Sequence, residues 1–228
     1  MLLTLFCKKQ FARMSQKRKI IGIGFHKTGT TTLGKALEIL GYNVKGVTPR
    51  MILPIVRGNI GKALKYAEKY DALQDVPWCI LYRELDEYFP GSKFILTIRD
   101  EESWYKSALR QFGGYIRPQN EWIYGRRKGL FKDKKHAINR YRQHNTDIKK
   151  YFKNRPDDLL ILNLAEKNNW EKLCAFIGEK IPKTEFPHSN KSSEKKNENG
   201  FKDKFKKLRR VVKNTLKITY LDLTGSWK

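Results

Sequence analysis

Short uninterrupted apolar runs alternate with stretches of helical period along most of this 228-residue chain, and that alternation narrows the fold more than any other feature. Residues 19–24 (KIIGIG), 93–98 (KFILTI) and 159–164 (LLILNL) are too short for helices and apolar on both faces. Strands buried in a parallel sheet look like this. Shorter strand candidates lie at 42–47 and 72–75. Between them, apolar residues recur at helical spacing over 31–40, 50–70, 78–89, 101–112, 132–153 and 170–177, with stops at Gly41, Pro90-Gly91 and Gly113-Gly114. The alternation predicts a three-layer α/β/α arrangement around a central parallel sheet.

Residues 20–188 are the expected folded domain. An extension at 1–19 precedes it, and a polar linker at 189–204 and a basic amphipathic tail at 205–228 follow it. The extension opens on Leu2, Leu3, Leu5 and Phe6, too short for a signal segment and without basic residues ahead of it. Met14, directly before the first strand, is a second candidate start beside Met1. No apolar run reaches the ~18 residues of a membrane-spanning helix. Cys7, Cys79 and Cys174 suit neither a disulfide framework nor a metal cluster, so the expectation is a reducing, cytoplasmic setting.

The net charge is +25, and its distribution is uneven. Residues 1–19 carry six basic and no acidic residues, 191–228 twelve against four, and 105–155 fifteen against three. Such a field attracts phosphates, sulfates, nucleic acid or an anionic membrane without choosing among them. Within a basic helical insertion at about 113–155, Tyr115, Trp122, Tyr124 and Phe131 interleave with the cations. An acceptor-binding lid and a solvated basic surface both fit that pattern. The apolar stripe of the tail fits either an anionic membrane or the domain core.

The loop after the first strand reads Gly24-Phe25-His26-Lys27-Thr28-Gly29-Thr30-Thr31-Thr32-Leu33. Strand, glycine loop and helix in this order let backbone N–H groups and a helix N-terminus hold an anion, as in P-loop nucleotide-binding folds. The two glycines stand five apart, but a nucleoside-triphosphate loop carries Lys and Ser/Thr directly after the second glycine. Here those places hold Thr30 and Thr31, and the lysine has moved inside the loop. A second cluster follows the strand at 93–98. Arg99 stands at its carboxyl end, where ligands of α/β sheets bind, and Ser107 lies eight residues on in the next helix.

Together the segments resemble the sulfotransferases that use 3′-phosphoadenosine 5′-phosphosulfate. FHKTGTTTL is similar to that family's 5′-phosphosulfate loop, and ILTIRDEESWYKS to its 3′-phosphate segment. Arg83-Glu84-Leu85, Phe89-Pro90-Gly91, the WEKLC run at 170–174 and Phe186-Pro187-His188 resemble a small, mostly bacterial branch. The likeness covers roughly 20–190. It implies that Lys27, Thr28, Gly29, Thr30, Thr31, Thr32, Arg99 and Ser107 hold the nucleotide, and that a sulfuryl group passes to a hydroxyl or amine of a glycan, lipid or small metabolite. Lys27 would neutralise the leaving phosphate oxygen, with no metal required. Many members carry a catalytic His-x-Pro; the matching place here is Asp75-Val76-Pro77, so Asp75 is the candidate base. It is equally suited to capping a helix near Pro77. His26, beside the lysine, is a further catalytic candidate, and His144 a weaker one. Three other readings stay open on sequence alone: a phosphotransferase or NTPase, a basic binder of nucleic acid or membrane, and a family member that binds nucleotide without turnover.

Overall fold

The computed structural model describes residues 18–112, 118–125, 133–188, 209, 213, 216–221 and 223–224. The candidate starts at Met1 and Met14, the linker and much of the tail lie outside the described residues. Five strands, β1 (Ile20–Gly22), β2 (Val44–Lys45), β3 (Ala72–Gln74), β4 (Lys93–Ile98) and β5 (Leu159–Asn163), form one sheet in the order β2-β3-β1-β4-β5. Every pairing is parallel. The helices that connect them are α1 (Thr30–Ile39), α2 (Ile52–Val56), α3 (Ile60–Ala67), α4 (Tyr82–Tyr88), α5 (Glu101–Phe112), α6 (Pro118–Tyr124), α7 (Lys134–Tyr151) and α8 (Asn169–Ile177).

The inner strands bury both faces, which is why they read as continuous apolar runs. Ile21, Leu73, Phe94 and Leu96 face one layer, with Trp78, Ile148 and Phe152. Ile20, Ala72, Ile95 and Leu162 face the other, with Leu33, Leu37, Trp170 and Leu173. The predicted fold class therefore stands. Element bounds differ where tertiary contacts decide. The helix expected over 78–89 begins only at Tyr82. Trp78, Cys79 and Leu81 are instead buried in a turn that follows a left-handed Asp75.

The long basic helix α7 is a structural layer, not a peripheral flap. Its Tyr141, His144 and Ile148 lie at i, i+3 and i+7 and are buried, while lysines and arginines take the outer face. Part of the tail also docks on the domain. Leu221 is buried in a cluster with Ile52, Val56 and Phe25, and the Arg57 guanidinium lies 4.7 Å over the Tyr220 ring. Core packing thus accounts for Leu221, one of the two roles its stripe allowed.

Candidate active site

β1 occupies the centre of the sheet, and its order relative to β3 and β4 opens a crevice at the carboxyl edge. The loop from Gly24 to Gly29 crosses this edge. It leans on β4 because position 24 is glycine: a Cβ there would lie 2.0 Å from Thr97 Oγ1 and 2.4 Å from the Thr97 carbonyl. Thr28 Oγ1 then donates to the Phe25 carbonyl at 2.6 Å and lies 2.6 Å from Thr97 Oγ1. Lys27 takes a left-handed φ of 68°, and Gly29, φ 102°, turns the chain into α1. Its N-cap, Gly29, has no side chain to cap that helix, whose first residues Thr30 and Thr31 lie at the crevice.

The chain from the second segment meets the loop here. Arg99 Nη1 lies 3.4 Å from the Lys27 carbonyl, and Trp104 Nε1 donates to the His26 carbonyl at 3.0 Å. The Tyr141 hydroxyl fixes the turn after β4 by accepting from Arg99 N and donating to Arg99 O, both at 2.9 Å. Ser107 is buried one turn beyond Trp104 and one turn before Gln111, on the helix face turned to the loop.

A cleft of about 370 Å³ opens at this point. Its floor is made by His26, Lys27, Gly29, Thr30, Thr31 and Asp75. Val47 and Val76 flank it, and Gln111, Phe112, Gln119 and Asn120 form the wall supplied by α5 and α6. Asp75 is 8% exposed and, like Lys27, has a left-handed backbone, φ 67°. Of the three non-glycine residues with positive φ among the described residues, two therefore lie at this cleft. Such conformations persist only where the surroundings enforce them, and they concentrate at working sites.

Asp75 Oδ2 accepts from Thr30 Oγ1 at 2.7 Å, and Oδ1 accepts from Val76 N at 2.7 Å. The carboxylate thus ties β3 to the start of α1, and it does not cap a helix near Pro77. Burial holds its pKa above the usual carboxylate value, against the opposing pull of the Thr30 and Val76 hydrogen bonds and of Lys27. Lys27 has its pKa lowered, first by burial and then by the nearby cations Arg110 and Arg99, with Asp75 acting the other way. Three cations therefore crowd one loop against a single buried carboxylate.

The sequence candidates separate into groups. Lys27, Gly29, Thr30, Thr31, Asp75 and His26 share the cleft. Arg99 touches the loop from outside it, exposed to solvent. Thr28 and Thr32 are buried and do not line the cleft. His26 is 4% exposed, shares a 2.8 Å hydrogen bond from Nε2 with the Tyr124 hydroxyl and meets the Phe112 ring edge-on at 4.7 Å. His144 lies beneath the loop, donating from Nε2 to the Ile23 carbonyl at 2.8 Å and stacking on Phe25. Burial pushes its pKa down to about 4, which suits a neutral core imidazole. Sequence reading missed Asn120, Gln111 and Gln119 as cleft residues. It counted Arg110 only as part of a diffuse basic segment.

A glycine loop on the carboxyl edge of a five-stranded parallel sheet, with Arg99 and Arg110 near its lysine, defines an α/β protein with an anion-binding crevice. The family follows from comparison: a model described as "Sulfotransferase domain" matches residues 19–124 and 109–195. The chain belongs to that family, and its function is of the sulfotransferase type. It is also similar to Ava biosynthesis cluster protein M of Aspergillus versicolor, at 25% identity over 211 aligned residues covering 75% of this chain and 80% of that protein.

Proposed function

We propose that the chain transfers a sulfuryl group from 3′-phosphoadenosine 5′-phosphosulfate to a hydroxyl or amine acceptor. The observation that carries this reading is the excess of cations at the loop. Lys27 is half-buried, its charged form is disfavoured first by burial and then by Arg110 and Arg99, and a bound anion would offset that cost. When bound, the donor supplies the activated sulfuryl group and its phosphates supply the anion. Lys27, the backbone N–H groups opening α1 and the Thr31 hydroxyl fit the 5′ end, while Arg99 and Ser107 fit the 3′-phosphate.

Asp75 is the proton acceptor in this proposal. A carboxylate has about four lone-pair sites, so the hydrogen bonds from Thr30 and Val76 fix its orientation and leave capacity for an acceptor hydroxyl. Its raised pKa makes it a better base than an exposed aspartate. Thr30 bonds the base and also opens the helix beside the lysine, so it couples the two groups. His26 holds the loop through Tyr124 and Trp104 and shapes the cleft. The deciding experiment is calorimetry with 3′-phosphoadenosine 5′-phosphate, followed by an acceptor screen with labelled donor. Binding that disappears in Lys27→Ala supports the reading; absence of binding by the wild type ends it. The name of the fungal relative, a biosynthesis cluster protein, favours small metabolites among the acceptors to screen.

A cytoplasmic site of action and a membrane contact belong to the same proposal. Leu216, Tyr220 and Leu223 remain exposed beside Leu221, and the exposed Arg209, Lys213 and Lys217 follow one another at four-residue spacing. That face suits an anionic bilayer. Charge reversal at the three cations tests it better than truncation, which would also strip Leu221 from the core. Loss of co-sedimentation with anionic vesicles is the expected result. Equal sedimentation of both forms removes the membrane from the proposal.

A further inference from the structure

The wall of the cleft facing the loop has its own chemistry. Asn120 is 4% exposed, and its Nδ2 is buried with no hydrogen-bond partner. Buried amide donors are almost always paired, and an unpaired one at the wall of a cleft is open to a ligand atom or to a water that a ligand displaces. Gln111 and Gln119 line the same wall, and Phe112 offers an apolar surface between them. The ionisable groups lining the cleft are His26, Lys27 and Asp75, all on its floor. His26 is bonded to Tyr124, and Asp75 is held by Thr30 and Val76. With Lys27 engaged by the donor and Asp75 by the reacting hydroxyl, the amide wall has no charge of its own for an ionised acceptor, which would lose its water there without an ionic partner.

We infer that this wall is the acceptor subsite and that it selects a neutral, oxygen-rich small molecule: an alcohol or phenol carrying a second oxygen that accepts from Asn120 Nδ2. The assignment rests on the sulfotransferase reading for the direction of the reacting hydroxyl, toward Asp75 and Lys27. The amide wall itself binds the second oxygen independently of donor. The cleft of about 370 Å³ is shared with the donor's 5′ end at Lys27 and Thr31, so the part left at the amide wall suits one small ring or a short polyol. Asn120 is then a specificity-determining residue. Gln111 and Gln119 enlarge the choice of hydrogen bonds to neighbouring oxygens, and Phe112 covers an apolar ring face.

The test compares catechol with phenol and cyclohexane-1,2-diol with cyclohexanol, with 4-hydroxybenzoate and tyramine as charged controls. Binding is read by calorimetry without donor, and kcat/KM with labelled donor. The wild type is expected to prefer the two-oxygen member of each neutral pair by about tenfold or more, the value of one hydrogen bond whose donor is otherwise left unpaired. Asn120→Leu should erase that preference in both readouts, while Asn120→Ser, which keeps a donor, should restore part of it. Because Nδ2 bonds nothing in the protein, Asn120→Leu is expected to melt no lower than the wild type; a drop in Tm of several degrees would mean that the amide holds the fold, and would overturn the inference. Preference for a charged control, or an unchanged ratio in Asn120→Leu, overturns it as well. Asn120-dependent diol binding without any binding of 3′-phosphoadenosine 5′-phosphate would keep the subsite and sink the sulfuryl reading. The reverse pattern would keep the donor site and sink the subsite.

Discussion

Lys19 and Lys27 flank the same strand at opposite ends, and burial lowers the pKa of both. Their neighbours differ in sign. Lys19 Nζ donates to the Ala67 carbonyl at 2.9 Å and to the Tyr70 carbonyl, and it lies 4.2 Å over the Phe89 ring. Asp71 and Glu68 pull its pKa back up. Lys27 has no such set: Arg110 and Arg99 add to the lowering, and Asp75 alone opposes it. The larger cavity, about 690 Å³, lies at the Lys19 end, yet its lysine is already satisfied by the protein. The smaller cleft holds the lysine whose charge the protein offsets only in part, through Asp75. Under the proposed function, charge balance, more than cavity size, separates a structural lysine from one kept for a ligand.

The sharpest way to break this contrast is Lys27→Ala. We expect the sulfation rate to fall about a thousandfold or more, as when a group aimed at developing charge is removed. The melting temperature should hold or rise, because one of three crowded cations is gone. Labelled-donor turnover and thermal melting of the same preparation give both values. A protein that melts much lower would make Lys27 structural, as Lys19 is.

Asp75→Asn follows in size. Loss of a general base costs about 10² to 10⁴ in kcat, and the acid limb of the pH–rate profile should vanish with it. The sign for stability runs opposite to that of a salt-bridged aspartate. Because folding raises the pKa of Asp75, the folded chain binds its proton more readily than the unfolded chain. Its contribution is most favourable below the ordinary carboxylate value and declines as pH rises through the raised one. Asp75→Asn should flatten that decline in urea melts taken across the same pH range.

Arg99→Ala and Ser107→Ala probe the outer edge of the loop. The first should weaken 3′-phosphoadenosine 5′-phosphate by about ten- to a hundredfold, the range for one charge-assisted contact, and the second by a few-fold. Calorimetry at low and high salt separates them, because only the arginine should change the salt dependence. Equal losses from both would place the 3′-phosphate elsewhere.

The residues that carry these predictions were legible in the sequence for specific reasons. Lys27 stands between two glycines that steric contact with Thr97 and Leu164 demands. Arg99 ends an apolar strand whose register beside β1 fixes where its side chain emerges. Asp75 stands two residues before Pro77, directly after a short buried strand. The far wall was not legible. Asn120, Gln111 and Gln119 are neutral amides on helices, a pattern shared with any solvent-facing surface, and only the packing of α6 beside α5 brings them to the cleft. The role of α7 was hidden for a related reason. Its buried stripe includes His144, which local pattern counts as polar, although the Ile23 carbonyl and the Phe25 ring make it part of the core.

The smallest effect belongs to Lys19→Met, and it closes the comparison. Methionine keeps much of the apolar stem but removes the donor to two backbone carbonyls at the amino edge of the sheet. Leaving such groups without their partner costs about 1–3 kcal/mol, with the lower part expected here because the site is only half enclosed and water reaches it. A fall of a few degrees in Tm should result, with Kd for 3′-phosphoadenosine 5′-phosphate unchanged. The strand that ends at Gly22 would still deliver the same loop to the same crevice, since Ile23 N donates to Ile95 O at 2.8 Å and Thr28 remains fixed to Thr97. A change in nucleotide affinity would mean that strain travels along β1 from one end to the other. The two lysines would then be coupled parts of one device, and the division between structural and ligand-directed charge would fail.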